Sequence, residues 1–516
     1  MRFKNVKNRF SIVLLSAAVF SLFAVTACGD AGGGGSDENE PALETKWTIM
    51  YYGDGDCNLE SALLEDVAEM KSGIADDQGV NIIVLFDRIS GYSSDSSVFG
   101  QNFTDTRLYR ITNGKAWRIS GSTQFPEITK KSSYEANMGS AATLKKFIQF
   151  CKANYPAENY SLILSNHGGG ARKKKSFALE EESVSSSVIS KNICYDQTSG
   201  NDFLYTGEIS DTLTSSESVQ LFGLDACLMS SVEFAYQFRN DSSNTGFKAE
   251  IMVASAPLET GNGWDYEAIF DRLQSGGGDN GTTDTTLTGN ELYYDPATLT
   301  AVQLGAIIVE EQRDSTSGDS SQSLTCLDLS KIKAVKDAVD VLAVALVSKK
   351  SDSEILRGGS APAAAILHYF DETDVNDWVS TPFFDLYDLA NAINTSGSFI
   401  AATQTKALTV KTAVDDLVIY SFANSYFTGF TAGKSGVHIF FPDGDYSVTD
   451  GTNTYGCWEL QWWYNSIDLT SSSGYGKLAW CIDGRNTTAS TVGNWFELLD
   501  SWYDVSGSTG VNGYQW

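Results

Sequence analysis

The chain has 516 residues, of which 42% are hydrophobic and 12% aromatic, enough for large buried cores and for more than one domain. It carries 65 acidic and 36 basic residues, a formal net charge of −29 at pH 7. Nucleic-acid-binding proteins need a basic surface, so this charge argues against a nucleic-acid partner.

The first 27 residues have the pattern of a secretory signal peptide. A basic stretch without acidic residues, 1–10, precedes the apolar run SIVLLSAAVFSLFAVTA. The sequence VTAC at 25–28 resembles a bacterial lipobox, which implies cleavage before Cys28 and attachment of lipid to its thiol. The apolar run could instead be a short transmembrane anchor. In either case we expect an exported chain that is anchored to a membrane, in the periplasm or at the cell surface.

Residues 28–46 are rich in glycine and acidic residues, and we expect them to form a flexible tether after the lipid anchor. The chain has eight cysteines and three histidines, and no cysteine pair has the C-x-x-C spacing of a zinc site. We therefore predict no metal site of Cys and His. If Cys28 carries lipid, an odd number of cysteines remains, so at least one thiol is unpaired.

From residue 47 onward, short apolar runs alternate with helix-like patterns. Strands are predicted at WTIMYYG (47–53), VNIIVLFD (80–87), YSLILSNHG (160–168), SVQLFGLDAC (218–227) and EIMVASA (250–256). Helices are predicted between them, including NLESALLEDVAEMKSG after the first strand and LMSSVEFAYQFRN directly after Cys227. This alternation predicts an α/β fold with a mostly parallel sheet and helices on both faces.

The second part of the chain has a less regular pattern. Residues 274–300 are rich in Gly, Thr and Asp and are expected to form a surface loop. Two helices are predicted at KIKAVKDAVDVLAVALVSK and PFFDLYDLANAI, and a strand with a turn is predicted within SGVHIFFPDG. We therefore expect a main α/β domain at 47–325 and an α+β extension at 326–516 that packs on it.

Two reactive side chains follow predicted strands, at the sheet edge where α/β proteins place their chemistry: His167 and Cys227. A cysteine attacks as a thiolate, and a histidine on a neighbouring strand end can act as its base. The backbone N–H groups of Gly168 and of Cys227, the latter at a helix start, would form an oxyanion hole. From the residues alone, a core cysteine and an unrelated loop histidine remain the alternative. His368 and His438 are predicted to be structural.

Six segments together resemble the clostripain family of cysteine peptidases, in the caspase, legumain and gingipain clan. The segments occur in the same order as in the family. Five of them lie between residues 47 and 266, and one more lies near residue 442. They are WTIMYYGDGDCNLE, SNHGGG, NICYDQTSGNDFLYTGEIS, GLDACLMSSVEFAYQ, ASAPLETGNGWDY and SGVHIFFP. The resemblance implies a caspase-like fold for the catalytic domain, a dyad of His167 and Cys227, and protein or peptide substrates that are cleaved after Arg or Lys.

The resemblance further implies that Asp225, two residues before Cys227, lines the pocket for the basic side chain. A partly desolvated carboxylate forms strong charge-assisted hydrogen bonds with guanidinium or ammonium groups, which agrees with that role. Without the family, a helix N-cap would be the default role for Asp225.

Members of this family commonly cut themselves between the histidine and cysteine strands, after a basic residue. Residues 171–191 are polar and rich in Ser and Glu, which is typical of exposed loops that proteases cut. They contain five basic residues that match the implied specificity: Arg172, Lys173, Lys174, Lys175 and Lys191. The alternative is a solvated charge cluster that is never processed.

Some members of the family depend on calcium, so the resemblance leaves a calcium requirement open, with no cofactor otherwise needed. The segment GDGDCNLE (53–60) has acidic residues at alternate positions, but it lacks the following Gly and Glu of an EF-hand loop. The sequence therefore locates no metal-binding residue.

Two classes of function follow. The first is an exported cysteine endopeptidase with Arg/Lys preference that processes itself in the 168–191 loop. The alternative is a catalytically silent surface lipoprotein that uses the same fold to bind peptide or glycan, for which the aromatic-rich C-terminal half is the motivation. A serine hydrolase would need a G-x-S-x-G elbow, which the sequence lacks.

Overall fold

The computed structural model describes residues 45–75, 79–170, 193–274, 293–319, 321–357, 366–369, 382–442, 447–449, 454–456, 475–486 and 491–503. These residues belong to one compact unit, Ala42–Trp516. The predicted signal peptide, Cys28, most of the tether and all five candidate self-cleavage residues lie outside the described residues. None of the helices in the described ranges has the length and apolar character needed to cross a bilayer.

The strands of the described residues are, in chain order, β1 (Thr45–Gly55), β2 (Val80–Arg88), β3 (Arg107–Thr112), β4 (Lys115–Ile119), β5 (Ala157–Ser165), β6 (Ile193–Asp196), β7 (Asp202–Leu204), β8 (Val219–Asp225), β9 (Ala249–Ala254), β10 (Ser323–Asp328), β11 (Phe383–Asp385), β12 (Val418–Ala423), β13 (His438–Phe440), β14 (Ser447–Thr449) and β15 (Thr454–Gly456).

Nine strands form the central sheet in the order β12-β10-β9-β8-β5-β1-β2-β3-β4. The five strands from β9 to β2 run parallel to one another, which confirms the predicted parallel sheet. Antiparallel strands extend both edges: β10 and β12 on one side, β3 and β4 on the other. The β3–β4 hairpin was not predicted. Its strands meet at Asn113-Gly114, where Gly114 has the positive φ of 68° that a tight hairpin turn needs.

The helices of the described residues are α1 (Glu60–Gly73), α2 (Ala141–Asn154), α3 (Thr206–Thr212), α4 (Val232–Gln237), α5 (Tyr266–Asp271), α6 (Ala301–Ser315), α7 (Ile332–Leu346), α8 (Lys350–Arg357), α9 (Leu386–Thr395), α10 (Ala401–Leu417), α11 (Ala479–Ile482) and α12 (Trp495–Tyr503). The predicted helix after the first strand is α1, whose Leu63, Val67 and Met70 are buried.

The central sheet has a separate apolar core on each face because successive residues of a strand point to opposite sides. Met50 and Tyr52 of β1 lie in the core covered by α2, α4 and α7. Ile49 and Tyr51 lie in the core covered by α1, α5 and α6. Helices therefore cover both faces, which confirms the predicted α/β fold.

The C-terminal part of the chain shares the central sheet. The boundary expected between residues 325 and 326 falls inside β10, and β12 adds the edge strand next to it. The two helices predicted in this part are present as α7 and α9. β11 precedes α9 and pairs with β13 in a small separate sheet. The C-terminal part therefore contributes to the main sheet as well as packing against it.

Candidate active site

The loop after β5 is held in place by a buried asparagine. Asn166 Oδ1 accepts hydrogen bonds from the backbone N–H of His167 (2.6 Å) and of Tyr195 (2.8 Å). Its side-chain amide donates to the Asp54 carbonyl at the end of β1. The His167 ring contacts Asn58, with 2.8 Å between His167 Nε2 and Asn58 Oδ1. The sequence predicted His167 but neither asparagine.

Cys227 lies in a tight turn after β8, and the prediction that it begins a helix is wrong. Leu228 has a φ of 66°, a left-handed conformation that is costly for a branched side chain and cannot continue a right-handed helix. The Leu228 N–H donates to the Pro257 carbonyl at 2.9 Å instead of to a helical partner. Helix α4 starts only at Val232, with Ser231 as its N-cap.

The C-terminal part of the chain stabilises this turn. His438 of β13 is fully buried, and its Nε2 donates to the Leu228 carbonyl at 3.1 Å. Its backbone N–H donates to the Ser230 carbonyl at 2.9 Å, and Ser230 Oγ donates to the Gly436 carbonyl at 2.6 Å. His438 is thus a structural residue, and it supports the turn that carries Cys227.

The two loops meet at the C-terminal edge of the parallel strands. Ser165, the last residue of β5, is in register with Asp225, the last residue of β8. Gly168 packs directly on Cys227, because a Cβ on Gly168 would overlap the Cys227 carbonyl oxygen and lie 2.9 Å from Cys227 N. The structure therefore brings the His167–Gly168 segment and Cys227 together. Their catalytic roles stay a prediction.

Gly168→Ala is expected to disrupt this contact. The new methyl group would press on backbone atoms of Cys227, which cannot move aside cheaply, so we expect a loss of stability of about 1–3 kcal/mol and a marked loss of activity. Thermal unfolding and peptide hydrolysis measure the two effects. Gly318→Ala is the matched control, because a Cβ there meets nothing within 4 Å. Equal behaviour of the two variants would contradict the tight packing.

Cys227 is the accessible thiol of the described chain. Of the six cysteines in the described ranges, five are buried and Cys227 is partly exposed. The Glu259 backbone N–H donates to Cys227 Sγ at 3.2 Å. Burial raises the pKa of Cys227 to about 12, and the charges of Glu259 and Asp225 add to the increase. At neutral pH the Cys227 side chain is therefore a thiol rather than a thiolate.

Three acidic side chains lie beside the Cys227 loop: Asp66, Asp225 and Glu259, called the pocket acids below. Asp225 Oδ2 accepts from Tyr266 Oη at 2.8 Å and from the Trp264 N–H at 3.4 Å, so the helix N-cap alternative for Asp225 is wrong. Burial raises the pKa of Asp225 to about 6. Within the described residues, Asp66 Oδ1 and Glu259 Oε2 are buried without a hydrogen-bond partner.

Gly263 closes over the pocket acids. Its φ is 68°, and a Cβ there would lie 3.0 Å from Asp225 Oδ2 and 3.2 Å from Asp66 Oδ1. Glycine meets both demands, since it adopts positive φ without strain and leaves space beside the carboxylates. The segment 259–264 thus contacts Cys227 at one end and covers Asp225 at the other.

Comparisons with known proteins show which family the chain belongs to. The family model described as the clostripain family matches residues 51–502. Clostripain of Hathewaya histolytica is 47% identical over 486 residues, which cover 91% of this chain and 90% of that protein.

Two solved structures are more distant. A secreted C11 cysteine protease from Bacteroides thetaiotaomicron, in complex with an irreversible peptide inhibitor, is 16% identical with a TM-score of 0.49, covering 79% of this chain and 94% of that one. An inactive zymogen C11 protease from Parabacteroides distasonis is 16% identical with a TM-score of 0.48, covering 77% and 92%.

The relationship over nearly the whole chain defines the class of protein, a cysteine endopeptidase. The chain belongs to the clostripain family, which confirms the family that the sequence motifs predicted.

Proposed function

We propose that the chain is an exported endopeptidase that cleaves after Arg or Lys, with Cys227 as nucleophile and His167 as its proton-transfer partner. One observation carries the proposal: Gly168 packs on the backbone of Cys227, and the accessible Cys227 thiol contacts Glu259, one of the three pocket acids. The proposed nucleophile, its proposed base and an acidic pocket thus lie at one sheet edge.

In the proposed reaction, Cys227 Sγ attacks the substrate carbonyl carbon. The backbone N–H groups of Gly168 and Cys227 stabilise the oxyanion that forms. His167 takes the thiol proton and passes it to the leaving amine, and the contact of its Nε2 with Asn58 Oδ1 at 2.8 Å orients the ring. Because the pKa of the thiol is about 12, we expect deprotonation to accompany attack rather than to precede it.

The pocket acids support a preference for cationic side chains. Burying three carboxylates together is costly unless a positive charge compensates them. An Arg or Lys side chain of the substrate would supply that charge and could also donate to oxygens such as Asp66 Oδ1 and Glu259 Oε2.

Export, lipid attachment and self-processing complete the proposal. The signal-peptide pattern and VTAC at 25–28 support export and a membrane anchor at Cys28. The basic cluster 172–175 and Lys191 match the proposed specificity and lie between His167 and Cys227 in the chain, which supports self-cleavage there.

One experiment tests the self-processing and the specificity together. The chain from residue 29 and its Cys227→Ala variant are incubated, then analysed by intact mass and with reporter peptides ending in Arg, Lys or Ala. We expect only the wild type to split, after one of 172–175 or Lys191, and only the wild type to hydrolyse the Arg and Lys reporters. If the wild type stays uncut but hydrolyses the Arg or Lys reporters, only the self-processing part of the proposal is rejected. A wild type inactive on all reporters contradicts the whole proposal.

A further inference from the structure

Leu258 is an apolar residue that lies exposed beside the Cys227 turn. Its relative exposure is 49%, although both of its chain neighbours are bound to that turn. The Pro257 carbonyl accepts from the Leu228 N–H at 2.9 Å, and the Glu259 N–H donates to Cys227 Sγ at 3.2 Å. Two hydrogen bonds, one on each side of Leu258, therefore fix its position relative to the thiol.

The Leu258 side chain lies outside the pocket that the acids form. The carboxylate of its neighbour Glu259 is turned inward, where Oε1 accepts from Trp264 Nε1 at 2.7 Å and Oε2 is buried. Leu258 is half exposed, so the two side chains point in different directions. A single exposed leucine is ordinary on a protein surface, and it is the place of Leu258 beside the thiol that indicates a role.

The strand order places Leu258 and His167 on opposite sides of Cys227. In the central sheet, β8 lies between β9 and β5, and the Cys227 turn follows β8. Leu258 comes after β9, and His167 comes after β5. The three strands are parallel, so their loops lie side by side at the same edge of the sheet.

This order gives a bound peptide its direction. In the proposed reaction His167 passes a proton to the leaving amine, so the part of the substrate after the cleaved bond lies on the β5 side. The part before the cleaved bond then lies on the β9 side, with its basic side chain among the pocket acids. Successive side chains of an extended peptide point to opposite faces, so the residue before the basic one points out of the pocket, as Leu258 does.

We propose that Leu258 forms an apolar subsite for the substrate residue that directly precedes the basic residue. An apolar side chain at that position would cover the exposed part of Leu258, and removing both surfaces from water stabilises the complex. A polar side chain of the same size would lose hydration and find no hydrogen-bond partner on a leucine. The subsite rests on the proposed peptidase function and adds a second preference to the selection of Arg or Lys.

Reporter peptides that differ only in the residue before Arg test the subsite. Leu and Asn are compared at that position because their side chains have similar shapes. We expect the wild type to prefer Leu about tenfold in kcat/KM. Leu258→Ser should bring this ratio close to one, mainly through KM, because the apolar contact is the same in the bound substrate and in the transition state. Leu408→Ser, the same change at a 46% exposed leucine of α10, should keep the wild-type ratio.

Three results would overturn the subsite. They are equal rates for the Leu and Asn peptides in the wild type, an unchanged ratio in Leu258→Ser, and an equal loss on both peptides in that variant, which would show that Leu258 only supports the Cys227 turn.

A second peptide pair, with Leu or Asn directly after Arg, checks the direction of binding. Leu258→Ser should leave the ratio for this pair unchanged, and a change here instead would place Leu258 on the leaving-group side, against the proposal. A wild type that hydrolyses none of the peptides would reject the proposed function and the subsite with it. Hydrolysis without a preference before Arg would reject the subsite alone.

Discussion

Cys227→Ala is expected to abolish peptide hydrolysis, with kcat/KM lowered about 10⁴-fold or more, because the covalent route disappears with the sulfur atom. The variant should fold normally. Cys227 is only partly buried, and the turn around it is held by backbone bonds of Leu228 and Ser230 that do not involve the thiol. Reporter peptide kinetics and thermal unfolding of the same samples measure the two outcomes.

Cys151→Ala is the matched control for the loss of a thiol. Cys151 is fully buried in α2, so a substrate cannot reach its thiol. We expect this variant to lose up to about 1 kcal/mol of stability and to keep its kcat/KM. Residual activity of Cys227→Ala above about one part in a hundred of wild type would reject Cys227 as the nucleophile.

Local patterns were sufficient for the centre of the fold. The apolar runs around Tyr51 and Leu162 are buried strands of the parallel sheet, and residues that follow parallel strands must meet at one edge. That rule places the His167 loop beside Cys227 without any knowledge of side-chain contacts. The helical spacing of Leu63 and Val67 reflects one buried helix face, which is also a local property.

The Cys227 turn could not be predicted because long-range contacts override its local pattern. The segment after Cys227 has the residue types of a helix, but Leu228 and Ser230 form backbone bonds to Pro257 and Ser255, which follow the next strand. The His438 ring then fixes the Leu228 carbonyl from about two hundred residues away. A window of neighbouring residues contains none of these partners.

The acidic groups were missed for the same reason. Asp54 and Asp56 are visible as alternating acids, but the sequence does not show that Asp87, Glu135 and Asp196 lie near them. Only the sheet register, which places Asp54 beside Asp87, brings them together. Asp66 and Glu259 reach Asp225 in the same way, from α1 and from the loop after β9.

Asp225→Asn is expected to remove most of the preference for basic side chains. Deleting one partner of a buried charge pair costs about 2–5 kcal/mol, so kcat/KM for Arg and Lys reporters should fall about 10²–10³-fold. Asn can still accept from Tyr266 Oη and the Trp264 N–H, which preserves the fold. Asp211→Asn, an exposed aspartate of α3, is the control and should keep wild-type kinetics.

The pH dependence separates the charge of Asp225 from effects that are common to all substrates. Burial raises the pKa of Asp225 to about 6, so this carboxyl loses its charge as the pH falls through 6, well above the range of an ordinary aspartate. An ionisation that acts on the chemical step affects every substrate equally, whereas neutralising Asp225 affects only cationic ones. The ratio of kcat/KM for a Lys reporter to that for a neutral reporter should therefore drop below pH 6 in the wild type and stay flat in Asp225→Asn. If the ratio still dropped in the variant, the charge that selects Lys would belong to Asp66 or Glu259 instead, since these carboxylates share the pocket.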